Sequence, residues 1–460
     1  MIARTSVSST NKRKASLQEV KRTCLEPFSV AMPRHFRTFL ALGTAFGLAA
    51  CANNEAGPPI APSGGNGTSI AQNAPKVGLI LPLSGRFGPI GLRMRDAAKL
   101  ALSSSGAPVL DVQDSNGPGG AAAAAQVALS HGDALLLGPL TATETAAVAP
   151  VAASAGKPVL AFTSDSTQAR PGVWVMGLTP EQQVRRMVDA ARATGRKTFA
   201  AFLPDNPLGH AMAEGLTTAC RDAALGAPQI VFHTSDEANI HDGLKTLSNI
   251  AARQPTAPAA TATDTSPAAS GPSAIDPTAA QDASQAVAAA APPVTTAPAQ
   301  IAPPPFDALL LADTGLALGQ VISALQEDHV DTAQVQIMGP ALWKAFDAKL
   351  GALHGAWYAA PDARDRNGYV ARYKAVYGQA PSPVTDFAYD AGALANVVAR
   401  SGHVDQAALT RSDGFVGVDG LFRLRPDGHV SRNLAVFQIQ RVGGSRIVVP
   451  ASRDVALRPS

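Results

Sequence analysis

Short apolar runs alternate with stretches of helical spacing from Lys76 almost to the carboxyl end of the chain. "KVGLILPL", "PVLDVQDS", "DALLLGPL" and "KPVLAFTS" read as strands. The segments "LRMRDAAKLALSSSG", "GPGGAAAAAQVALSHG" and "TETAAVAPVAASAG" between them carry helices. A second series follows: "RKTFAAFLP", "PQIVFHTS", "FDALLLADT" and "VQIMGP" as strands, among helices such as "EQQVRRMVDAARATG" and "GLALGQVISALQEDH". Strands apolar on both faces, each followed by a helix, belong to parallel sheets covered on both sides. The pattern therefore predicts an α/β protein of two doubly wound lobes. Near the end, "VGVDGLFRLRPDGHVSRNLAVFQIQRVGGSRIVVP" alternates apolar and polar positions, with a hairpin signal at Asp427-Gly428. These strands are expected to complete the second lobe.

Three segments break the pattern. Residues 255–305 are rich in Pro, Ala and Thr and hold almost no large apolar side chains, so they cannot offset the entropy of ordering. They are expected to form an extruded disordered insertion within the second lobe, either an arm for a partner or a neutral expansion. Residues 51–75 are polar and rich in Gly, Pro, Asn and Ser, and read as a flexible tether with a reach of about 25 Å. The apolar run before it, "FLALGTAFGLAAC", is about twelve residues, too short to span a bilayer and right for a secretory signal. Arg34 and Arg37 precede it, and "LAAC" resembles a bacterial lipobox. That resemblance implies lipidation of Cys51, a membrane anchor, and, with Ala52 next, the outer membrane. Residues 1–50 are then leader and signal, and Met32 is the expected true start.

Composition adds exclusions. The net charge of +3 is small and no basic cluster follows the leader, so nucleic acid is not an expected partner. With Cys24 in the leader and Cys51 lipidated, Cys220 stands alone and is expected inside a helix. No metal or cofactor motif is present, and "SGRFGPIG" lacks the Lys-Ser/Thr of a nucleotide loop. The histidines are scattered, and no nucleophile motif occurs. Asp362, Asp365 and Asp386 with Arg364 and Arg366 read as a solvated charged turn. Catalysis is not expected.

"VGLILPLSGRFGPIGLRMRDAAKLAL", "LLLGPLTATETAAVAPVAASAGKPVLAFTSDS", "WYAAP", "FAYDAGALA" and "DGFVGVDGLFRLRPDGHV" together resemble the leucine/isoleucine/valine-binding family of periplasmic binding proteins. The lipobox and the last segment look most like its penicillin-binding protein activator subgroup, outer-membrane lipoproteins that stimulate peptidoglycan synthases. The best-known member carries a helical-repeat domain where this chain has only the tether. The resemblance implies the type 1 periplasmic binding fold, with three hinge crossovers near Leu178-Thr179, Tyr358-Ala359 and Gly414. Lobe 1 would hold residues 76–178 and 358–413, and lobe 2 residues 179–357 and 414–460. The cleft between them lies at the carboxyl ends of the strands.

The resemblance also places the cleft residues. Ser84 and Gly85 form a lip. Thr141, Thr163, Ser164 and Asp165 stand at helix starts, where hydroxyls either cap the helix or seat a ligand carboxylate. Ile90 and Leu208 stand where amino-acid binders place aromatics, and Ala142 where a hydroxyl meets the carboxylate. His354 falls near the acid that pairs with the α-ammonium. A zwitterion deprived of that acid binds poorly, because an unpaired buried charge is costly. The expected function is therefore a non-catalytic periplasmic lipoprotein regulator that partners a peptidoglycan synthase. The alternative is a transporter's solute-binding protein with a small-molecule ligand in the cleft.

The anchor is directly testable. Cys51→Ser is expected to abolish labelling by a radioactive fatty acid and to move the protein from the membrane to the soluble fraction. Retained labelling would refute the lipobox.

Overall fold

Lys76–Leu81 (β1) carries Leu79, Ile80 and Leu81 fully buried, and each contributes about 1.5–3 kcal/mol by leaving water. The computed structural model describes residues 75–254 and 301–451. The leader, Met32, Cys51, the tether and the insertion up to residue 300 lie outside the described residues.

From β1 the chain runs through Gly88–Ala101 (α1), Val109–Asp114 (β2), Gly120–Ser130 (α2), Leu136–Leu137 (β3), Ala142–Ser154 (α3), Val159–Ala161 (β4) and Val173–Val175 (β5). These strands form one parallel sheet in the order β2-β1-β3-β4-β5. Helix α1 packs on one face, and α2 and α3 on the other. The change of face falls between β1 and β3, which opens a crevice at their carboxyl ends. β5 was not anticipated, because "VWV" is too short to show a period.

Next come Pro180–Ala193 (α4), Phe199–Pro204 (β6), Pro207–Asp222 (α5), Gln229–His233 (β7), Glu237–Ser248 (α6), Ile250–Arg253 (α7), Ala308–Leu311 (β8), Gly315–Glu327 (α8), Gln336–Gly339 (β9) and Trp357–Ala360 (β10). Then follow Ala363–Tyr377 (α9), Thr385–Arg400 (α10), Gln406–Leu409 (α11), Phe415–Gly417 (β11), Gly420–Leu424 (β12), Val430–Arg432 (β13), Ala435–Ile439 (β14) and Ser445–Val449 (β15). The second sheet has the order β15-β14-β10-β9-β8-β6-β7. It is parallel from β7 to β10, and β14 and β15 run antiparallel. Cys220 is buried in α5, as expected.

Core membership locates the passes between the lobes. Met176 packs in the first core and Leu178 against the second, so the first pass lies at Gly177. Ala360 belongs to the second core and Tyr369 to the first, so the second pass lies at Pro361-Asp362, just beyond the expected Tyr358-Ala359. The third differs more. Strands β11–β13 form their own antiparallel sheet, and Phe415, Phe422, Leu424 and Val430 pack into the first core with α1, α9 and α10. The Val175 N–H donates to the Gly428 carbonyl at 3.1 Å, which ties the Asp427-Gly428 hairpin to β5. The chain therefore returns to the second lobe at Asn433-Leu434, not near Gly414. Alternation alone could not reveal this, since it shows that a strand has a buried face but not which core buries it.

The two lobes repeat one local device. "LPLSGRFGPIG" after β1 and "LPDNPLG" after β6 both bring a glycine onto the carbonyl of the strand-end proline. A Cβ at Gly91 would lie 1.9 Å from the Pro82 oxygen, and one at Gly209 would lie 1.9 Å from the Pro204 oxygen. Each helix thus starts hard against its strand.

A buried polar pair braces the second sheet. His233, ending β7, contacts Asp313, after β8, at 3.2 Å, with both side chains almost wholly inside. Its Nδ1 donates to the Thr234 carbonyl at 2.9 Å, and Phe202 stacks on the ring at 4.3 Å. A carbonyl and a carboxylate both need donors, so both ring nitrogens carry protons. Burial alone would lower the pKa, but Asp313 and the Thr234 carbonyl raise it above 6.5.

Two outcomes follow. Gly91→Ala and Gly209→Ala are each expected to cost about 1–3 kcal/mol, read from urea unfolding. For His233, the folded pKa is raised, so its stabilisation is complete below 6.5 and fades as pH rises through the folded value. The stability gap between wild type and Asp313→Asn should therefore be larger at about pH 6 than at about pH 9; an equal gap would remove the imidazolium.

Candidate functional site

The first pass leaves the carboxyl end of β5 and the second leaves the carboxyl end of β10. The loops at the carboxyl ends of both sheets therefore face the region between the lobes, and they hold most of the expected site residues.

On the first lobe, the loop after β1 is pinned to the end of β2. Asp114 accepts from the N–H of Leu83 and of Asn116, both at 2.9 Å, and the Asn116 amide donates to the Ser84 carbonyl at 2.7 Å. Burial would raise the Asp114 pKa, but these donors hold it below the usual carboxylate value. Gly85 supplies the left-handed turn, with φ +66°. Beyond it the lip is apolar and exposed: Arg86 lies over the Phe87 ring, and Ile90 keeps 39% of its surface.

The start of α3 holds the decisive geometry. Thr141 caps the helix by accepting from the Glu144 N–H at 3.2 Å. Glu144 folds back and accepts from the Thr141 N–H at 3.0 Å and from the Thr141 hydroxyl at 2.8 Å. Its other oxygen accepts from the Ser115 hydroxyl, which follows β2. Because β1 lies between β2 and β3, this bridge spans the crevice at the change of face. A carboxylate of the chain itself thus sits at the positive end of α3. Ala142, half-buried, begins the helix without adding a donor side chain.

The loop after β4 is equally self-contained. Thr163 is buried and its hydroxyl accepts from the Asp165 N–H at 3.1 Å. Asp165 accepts from the Thr167 N–H at 3.0 Å and its hydroxyl at 2.7 Å, capping the turn Ser166–Gln168. Ser164 is exposed.

On the second lobe the expected residues part company. Leu208 is half-buried and packs down into the core beneath α4 and α5. His354 is exposed and stands just before β10, at the amino end of that strand. It is therefore at the far end of the sheet from the loops above. The reason is local: three short turns between Ala341 and Leu353 delay the strand to Trp357. The cleft edge is formed instead by Asp205 and His210, in contact at 2.7 Å, with His210 tilted on the half-exposed Phe232. Leu316 and Leu342, following β8 and β9, are exposed.

Of the charged residues expected in a solvated turn, Arg364 is exposed, but Asp362 and Asp386 are buried. Asp386 and Asp390 are each 1% exposed and Asp419 is 6% exposed. Arg366 grips Asp386 through two nitrogens and the Pro381 carbonyl. Nothing in the sequence pattern marks these aspartates as internal except the helical spacing of Asp386 and Asp390 on α10. Among the described residues, no group of three or more His, Cys, Asp or Glu could hold a metal ion, and no helix is long and apolar enough to cross a membrane. A groove of about 670 Å³ lies elsewhere, at the amino ends of the second sheet's strands, over Leu325, Ile337 and Leu353.

No protein of curated function matches the sequence. Among solved structures, full-length LpoA from Haemophilus influenzae is 16% identical, with a TM-score of 0.56 over 83% of this chain and 59% of that one. The LpoA C-domain, named as a regulator of PBP1A, is 15% identical and is covered whole, with a TM-score of 0.56 over 81% of this chain. A putative branched-chain amino acid ABC transporter protein from Rhodospirillum rubrum is 17% identical, with a TM-score of 0.58 over 81% of this chain and 100% of that one. Identities this low carry the fold alone. The periplasmic binding protein family model matches residues 74–445, and the chain belongs to that family, in its leucine-binding type.

Proposed function

We propose that this protein is a non-catalytic, lipid-anchored envelope regulator of the penicillin-binding protein activator kind, acting on a peptidoglycan synthase in the periplasm from the outer membrane through Cys51. The observation that carries this reading is Glu144. An amino-acid ligand needs the positive end of α3 for its carboxylate, and Glu144 already sits there, accepting the Thr141 N–H and the Thr141 and Ser115 hydroxyls. A second carboxylate at ~4 Å would meet a repulsion of about 4 kcal/mol at an effective dielectric of 20, roughly a thousandfold in affinity. Recognition then falls to the exposed apolar lips, Phe87 and Ile90 on one lobe and Leu316 and Leu342 on the other.

A solute-binding role is the second reading. What favours it is coverage: the chain matches the Rhodospirillum rubrum transporter protein along its whole length but only 59% of full-length LpoA. Under this reading the ligand is a small molecule without a free carboxylate at α3.

Calorimetry separates the two. No heat is expected with leucine, isoleucine or valine, whereas crosslinking in cells is expected to capture a peptidoglycan synthase. Tight binding of a branched-chain amino acid, with the ~2.7 kcal/mol of stabilisation that a ligand at 100 times its Kd confers, would overturn the regulator reading. Glu144→Gln is expected to give measurable binding of a carboxylate where the wild type gives none; no gain in affinity would refute the role of Glu144 at α3.

A further inference from the structure

A carboxyl group is buried at the amino end of the first sheet, away from the cleft loops. Asp133, in the turn from α2 to β3, is wholly out of water. Among the described residues, neither of its oxygens meets a hydrogen-bond donor. Backbone bonds seat the turn: the Asp133 N–H donates to the Ala128 carbonyl at 3.3 Å, and the Ala134 N–H to the Lys76 carbonyl at 2.9 Å. The side chain fills the space left open at Gly78, where a Cβ would lie 2.8 Å from Asp133 Oδ2. Gly78 stands beside Asp111 in the parallel register of β1 and β2. Both positions face α2, because their neighbours Val77, Leu79, Leu110 and Val112 pack into the core on the other face. Neighbouring strands lie about 4.8 Å apart, so the carboxyls of Asp111 and Asp133 are side by side. Asp111 is well supplied: His131 Nδ1 is 2.7 Å from its Oδ2, and the Gln113 amide donates to its Oδ1 at 2.7 Å. The Lys76 ammonium donates to the His131 carbonyl at 3.3 Å. Helix α2 and strand β3 themselves carry no titratable side chain.

We propose that Asp133 is a built-in proton site: it carries a proton that it donates to Asp111, and the turn between α2 and β3 stays seated only while that proton is held. The element is a pH-sensitive catch within the first lobe.

A protonated carboxyl has one O–H to donate, and Asp111 is the acceptor beside it. Without the proton, a dry carboxylate with no donor would stand against a second carboxylate, and both burial and repulsion oppose that state. Burial, and then the charge of Asp111, pushes the Asp133 carboxyl up to about 7, against the pull of His131 and Lys76. The folded value is raised, so the stabilisation is complete below 3.8 and is lost as pH rises through about 7. The arrangement described above is therefore the protonated one. Relief on ionisation is local: His131 and Gly132, at the outer end of the turn, are already exposed, and a short outward movement brings water to Asp133. The catch lies at the opposite end of the strands from the cleft loops and is independent of what the cleft binds.

The test is amide hydrogen exchange on the full chain, followed in peptides covering residues 129–137, for wild type and Asp133→Asn. Asparagine keeps the shape and offers Asp111 a donor that does not titrate. Comparing the two proteins at the same pH cancels the intrinsic pH dependence of exchange. Wild-type protection relative to the variant is expected to fall about tenfold per pH unit between about pH 5 and 7, and to level off above. Asp111→Asn, whose amide gives Asp133 a donor, should move the levelling-off to lower pH and supplies a second comparison with wild type. Independently, the infrared difference between wild type and Asp133→Asn at about pH 5.5 should contain the carbonyl band of one protonated carboxylic acid. A protection ratio that does not change with pH overturns the proposal, as does a difference spectrum without that band.

Discussion

Arg432 donates to the Met176 carbonyl from between the faces of Phe387 and Phe422, at 5.4 and 4.9 Å from their centres, with Asp390 beside it. In that place a guanidinium has no water, and without an acid and a carbonyl it would be prohibitively costly. Both are supplied by different parts of the chain: Met176 ends the first lobe's sheet and Asp390 rides on α10. The contact therefore forms only when the first and third passes lie side by side. Arg366 holds Asp386 at the start of α10, within the first lobe beside the second pass.

The loops facing the cleft follow the opposite logic. Thr141 and Glu144 satisfy each other, Asp165 satisfies Thr167, and Asn206 caps α5 by accepting from the Gly209 N–H at 2.9 Å. A pocket for a charged small ligand keeps polar groups in reserve for it. Here they are spent within the protein, while Phe87, Ile90, Leu316 and Leu342 remain exposed.

Some of this was readable beforehand. Thr141-Ala142-Thr143-Glu144 is a capping box by its spacing, so the competition between capping and ligand binding could be seen, though not its outcome. Ser115 decided it by reaching Glu144 from the end of another strand. Gly91 and Gly209 are plain in the sequence, but their need to be glycine depends on where Pro82 and Pro204 aim their carbonyls. The resemblance puts His354 in the cleft, but three short turns delay β10 to Trp357 and leave His354 at the amino end of that strand. Asp386 and Arg366 look like any exposed pair, since charge type does not report burial when the partner is twenty residues away.

The alternation of apolar runs with helical stretches determined the two parallel sheets, because burying both faces of a strand requires both neighbours on either side to be apolar whatever the global arrangement. The local caps and turns were determined in the same way, by residues within a few positions of one another. Tertiary structure alone decided where the chain crosses between lobes, which core takes β11–β13, who occupies the start of α3, and which carboxylates are buried beside the passes. Each of these depends on contacts between residues far apart in the chain, such as Arg432 with Met176, and no short-range pattern encodes such a meeting.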